Sequence, residues 1–97
     1  MTKQNDLNKV QLEVTAGDKT FVFNITRGAY NKYINSITAA NKVGPSHNFL
    51  IMTIAEDNKT DLIQFIADNP GSEVVLAGSL LEDYTPDLDI VVKKRSS

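Results

Sequence analysis

The 97-residue sequence predicts an α+β fold: a small antiparallel sheet packed with about four helices. Three observations predict it. Two period-two apolar runs lie close together near the N-terminus. Four later segments carry apolar residues at the three- and four-residue steps of a helix face. A final short run alternates again before a basic tail. Nothing supplies a second core, so residues 1–97 read as one domain, with 1–8 and 94–97 expected to be loose.

The first run sets Val10, Leu12 and Val14 against Gln11 and Glu13, and the second sets Phe21, Phe23 and Ile25 against Val22 and Asn24. Joined through Gly17, they read as a hairpin with one buried face. Thr26 stands where an N-cap belongs, ahead of a helix over Tyr30–Ile37 with Tyr30, Tyr33, Ile34 and Ile37 on one face. Residues 36–44 are small and polar, hence a loop, and Pro45 has the fixed φ that suits the first turn of a helix over roughly 46–56. That helix packs Phe49, Leu50, Ile51, Met52 and Ile54 into six residues, more apolar surface than one stripe needs. It should be buried on more than one side, or against a partner.

Glu56-Asp57-Asn58 breaks the pattern, and a third helix resumes with Leu62, Ile63, Phe65 and Ile66 to about Asp68. Asn69-Pro70-Gly71 ends it. Either Asn69 or Ser72 caps the fourth helix, whose face holds Val74, Ala77, Gly78, Leu81 and Tyr84. Ala77 and Gly78 predict close approach of a neighbouring backbone there. Thr85-Pro86 stops the helix, and Leu88, Ile90 and Val92 alternate with Asp89 and Val91 as a third strand that should join the hairpin. One edge of that sheet is expected to stay open.

Composition narrows the function. A hydrophobic fraction of 41% is too high for a disordered chain. Ten basic against twelve acidic residues give a net charge of −2, which argues against a nucleic-acid or anionic-membrane surface. With no cysteine there is neither a disulfide framework nor a thiolate metal site. The start, MTKQNDLNK, lacks the apolar run of a signal peptide, and no stretch approaches the roughly eighteen apolar residues of a membrane span. A cytoplasmic protein is expected. A domain of this size buries only about 65% of the surface its unfolded chain exposes, so self-association would be a natural supplement to its stability.

Catalytic chemistry finds no foothold. His47 is the only histidine, and its neighbour Ser46 points about 100° away on a helix, so the two cannot pair as nucleophile and base. Asp83, Asp87 and Asp89 lack the glycine and closing glutamate of a calcium loop. Glu56-Asp57 and Glu82-Asp83 are consecutive and read as solvated helix-end charges. Gly44-Pro45-Ser46 has none of the spacing of a phosphate loop, and Pro45 removes one amide donor. Tyr30 and Tyr33 lack the surrounding cations of a base-stacking surface and read as core. No catalytic, metal or cofactor site is expected. The surplus of apolar residues in the second, third and fourth helices points instead to one crowded core or to a partner surface, for which a methionine among aliphatic residues is suited.

Several words of the sequence resemble a family of phage tail assembly chaperones: Tyr30-Asn31-Lys32-Tyr33-Ile34-Asn35, Asn41-Lys42-Val43 with Pro45, and His47-Asn48-Phe49-Leu50. Leu80-Leu81-Glu82-Asp83-Tyr84 with Pro86-Asp87-Leu88 extends the likeness, which runs from about Val10 to Lys93. The resemblance implies a non-enzymatic protein of the host bacterial cytoplasm. It would bind the long, aggregation-prone tape measure protein, help tail tube protein polymerise around it, and be absent from the finished virion. It also implies self-association as a homo-oligomer and, in many members, a longer form made by frameshifting; Lys93-Lys94 are residues that an A-rich slippery run would encode. The alternative is a structural tail or tail-terminator subunit retained in the virion. From the residues themselves, Tyr33, Phe49, Met52 and Phe65 are the candidates for partner contact.

Overall fold

A computed structural model describes residues 9–85 and 91–95. Strands β1 (Lys9–Ala16) and β2 (Lys19–Thr26) form an antiparallel hairpin, followed by α1 (Arg27–Ser36), α2 (Val43–Thr53), a 3-10 turn (Glu56–Asn58), α3 (Lys59–Asp68) and α4 (Ser72–Tyr84). The two-residue turn is made by Gly17 and Asp18, and Gly17 has φ +65°, a conformation that costs an L side chain about 1–2 kcal/mol. The register sets Val10 opposite Ile25, Leu12 opposite Phe23 and Val14 opposite Phe21. The alternation therefore works as expected: Phe21, Phe23 and Ile25 are fully buried against the helices.

β2 passes into α1 without a loop. Thr26 keeps extended backbone angles, and its Oγ1 accepts a hydrogen bond from the Ala29 N–H at 3.1 Å, the N-cap the sequence announces. The helix begins at Arg27, two residues before Ala29, the first buried member of its face. α2 packs against α1, α4 and β2, so its dense apolar run is buried on more than one side. Phe49 and Leu50 are buried and Ile51 and Ile54 half-buried, while Met52 is exposed. Pro45 occupies the third helical position, and the first in-register bond runs from the Ser46 N–H to the Lys42 carbonyl. The missing proline donor is thus one that a helix start leaves unpaired anyway.

Three expectations are corrected. The sheet of the described residues has two strands, both N-terminal, and no C-terminal strand joins it. Leu88, Asp89 and Ile90 lie outside the described residues, whereas Val91 and Val92 are highly exposed and belong to no strand. A physical obstacle stands on the outer edge of β2. There the Val22 carbonyl accepts from the Ala55 N–H at 2.8 Å, the Val22 N–H donates to Asn58 Oδ1 at 2.8 Å, and Phe23 bridges to Ile54. The chain after α2 has taken the place a third strand would need on that side.

Neither Asn69 nor Ser72 caps α4. Gly71 does, at φ +92°, and Glu73 Oε1 accepts its N–H at 3.0 Å. Finally, Ala77 is fully buried as a small core residue, but Gly78 faces open space and no backbone approaches it.

Candidate partner-binding cleft

α1 and α2 line a cleft of about 240 Å³. Its walls are two helix faces, Ala29, Lys32, Tyr33 and Ser36 from α1 and Gly44, Pro45, Asn48, Phe49 and Met52 from α2, with Asn41 of the connecting loop also lining it. Both sets step by three and four residues, so each helix turns one complete face into the cleft. The connecting loop holds the helices at this spacing. The Ile37 N–H donates to the Tyr33 carbonyl, and Thr38 and Asn41 exchange reciprocal backbone hydrogen bonds of 3.1 and 3.2 Å.

The floor is aromatic. The Tyr33 and Phe49 rings lie 4.9 Å apart between centroids, and the Tyr33 hydroxyl shares a buried hydrogen bond of 3.2 Å with Ser46 Oγ. The rim is polar and accessible, formed by Lys32, Ser36, Asn41 and Asn48, all exposed. Met52 stands at the open edge, 49% exposed, with its flexible thioether free to mould to a ligand surface.

Charge is distributed unevenly about this site. From Lys19 to Ala55 the chain carries Lys19, Arg27, Lys32 and Lys42 and no Asp or Glu. Nine of the twelve acidic residues fall later, at Glu56, Asp57, Asp61, Asp68, Glu73, Glu82, Asp83, Asp87 and Asp89. The cleft is therefore built wholly from the acid-free part of the chain.

Of the four candidate contact residues, the structure brings Tyr33, Phe49 and Met52 into this one cleft. Tyr33 and Phe49 are buried and form its floor, so their outward reach is small, and Met52 alone is half open. Phe65 lies elsewhere: it is half-buried on α3 in an edge-to-face contact with Phe21, ring centroids 5.5 Å apart. Sequence reasoning missed Lys32, Ser36, Asn41 and Asn48. The acid-free stretch and the matching 29/32/33/36 and 45/48/49/52 spacings were the signals that could have found them. His47 sits half-buried on α2 and does not line the cleft. Among the described residues no group of His, Asp and Glu is placed to hold a metal ion, and no helix is long and apolar enough to cross a membrane.

The family model for phage tail assembly chaperones matches residues 12–94. The chain belongs to the phage tail assembly chaperone family. A curated relative, an uncharacterized 11.3 kDa protein in the lys 3' region of Haemophilus phage HP1, is 31% identical over 86 residues, covering 89% of this chain and 81% of that protein. No solved structure matches the chain. Membership sets a role in phage tail assembly, in a family that is generally non-enzymatic. For this tail assembly chaperone, the words that carry the family resemblance supply Lys32, Tyr33, Asn41, Pro45, Asn48 and Phe49, all of them in the walls of the cleft.

Proposed function

We infer that this chain is a chaperone of the tape measure protein, working in the host cytoplasm, and that the α1–α2 cleft is where it takes its client. The observation that carries the reading is the cleft itself. Two helix faces line it over the paired Tyr33 and Phe49 rings, the kind of apolar groove that takes an amphipathic helix in helix-in-groove recognition. Met52 and the floor rings would take the client's apolar stripe, and Lys32 in a lining without Asp or Glu favours a client helix whose flank carries Asp or Glu. Such docking would shield the segments of a long helical protein that otherwise aggregate. Tail tube protein is a second client of the same assembly step, and the chaperone itself acts as a homo-oligomer.

Co-expression with the tape measure protein of the same phage tests this. The expected result is soluble co-purification only in the presence of the chaperone, lost in Met52→Asp and weakened in Lys32→Glu while both variants keep the wild-type circular dichroism. Absence of binding, with the free protein assembling into rings or tubes and persisting in purified virions, would replace the chaperone reading by that of a structural tail subunit.

A further inference from the structure

Among the described residues, the outer edge of β2 is covered and the outer edge of β1 is not, and the β1 edge has a self-complementary pattern. Val22 uses both its backbone groups away from β1, toward Asn58 and Ala55, so its partner Glu13 stands in a pair that makes no hydrogen bonds across the hairpin. Alternation then fixes the rest. Val10, Leu12, Val14 and Ala16 bond to β2, while the N–H and C=O groups of Lys9, Gln11, Glu13 and Thr15 point outward. These four residues are exposed, and among the described residues nothing donates to or accepts from their backbone.

We propose that two copies of this chain pair antiparallel along β1, about a two-fold axis at Gln11, to make a continuous four-stranded sheet. In that register Lys9 faces Glu13 of the second copy, twice by symmetry, on the outer face of the sheet. On the inner face, Val10 faces Leu12 of the second copy. Val10 is 38% exposed and Leu12 half-buried, so apolar surface left at the hairpin's margin becomes covered. Other registers do worse. An axis at Val10 or Leu12 leaves the charges unmatched, and one at Lys9 or Glu13 sets like charges opposite. A second copy is the occupant the charges select, because Lys9 and Glu13 of one strand complement the same strand reversed. The surface lies on the hairpin rather than between α1 and α2, so pairing leaves the client cleft of each copy accessible. The proposal gives a surface to the self-association read above and does not depend on which client is bound.

Sedimentation of the full chain over a concentration series tests it through charge reversal. The wild type should dimerise. Lys9→Glu and Glu13→Lys each turn two attractive pairs into repulsive ones and should weaken dimerisation by roughly ten- to thirty-fold. The double variant Lys9→Glu/Glu13→Lys should restore it, and an equimolar mixture of the two single variants should form a heterodimer. Circular dichroism serves as the folding control, since both positions are exposed. A wild type that stays monomeric at every concentration, or a dimer indifferent to the reversals, overturns the proposal. Loss of dimerisation with client co-purification intact would leave the chaperone reading standing, and the converse would separate the two ideas equally well.

Discussion

The hydrogen bond between Tyr33 and Ser46 joins α1 to α2 beside the cleft that the two helices line. The residues are 5% and 0% exposed, and the two hydroxyl oxygens are 3.2 Å apart. Ser46→Ala leaves the Tyr33 hydroxyl buried without a partner, which costs about 1–2 kcal/mol. Tyr33→Phe leaves Ser46, which can turn its hydroxyl back to a carbonyl of its own helix, so this variant should lose only about 0.5–1 kcal/mol. The double variant removes both polar groups together and leaves no orphan. It should therefore cost no more than Ser46→Ala alone, giving a coupling energy of at least about 0.5–1 kcal/mol. Urea unfolding followed by circular dichroism resolves this, and thermal unfolding reads each kcal/mol as roughly 4–8 °C in a domain of this size. Additivity of the two single variants within about 0.3–0.5 kcal/mol would refute the reasoning, since both hydroxyls would then be satisfied without each other.

Three further outcomes separate core from surface. Phe49→Ala should cost about 3–5 kcal/mol and threaten folding, whereas Met52→Ala, at a half-exposed site, should stay near 0.5 kcal/mol; differential scanning calorimetry distinguishes them. Asn58→Ala removes the acceptor of the Val22 N–H in a half-buried place, so stability should fall by about 1–2 kcal/mol and the Val22 amide should exchange faster in NMR hydrogen exchange. Gly71→Ala meets no steric neighbour but forces an alanine to φ +92°; a melting-temperature loss corresponding to about 1–2 kcal/mol is expected, with none expected at the open, right-handed site of Gly78.

Much of this protein could be read from its residues alone, because local physics dictated it. Period-two alternation in Val10–Val14 and Phe21–Ile25 selects one buried face, and a slip of one residue would expose three large side chains, so the hairpin and its core were determined before any tertiary contact. The Thr26 cap, the helices and the breaks at Glu56 and Pro70 follow from side-chain chemistry within a few positions. The family too was legible in the words around Tyr30, Asn41 and His47. What only the tertiary structure decided concerns groups distant in sequence. The alternation of Leu88–Val92 is compatible with a strand, but period two specifies no partner, and the outer edge of β2 was already taken by Ala55 and Asn58, more than thirty positions from Val22. The cap of α4 was settled by the left-handed backbone at Gly71, which satisfied the turn without the side chain of either Asn69 or Ser72. Tyr33, Phe49, Met52 and Phe65 look equally apolar in the sequence. Helix packing placed the first two on the floor of a cleft, the third exposed at its margin, and Phe65 against Phe21 elsewhere, because burial depends on the packing of whole helix faces rather than on the residue itself.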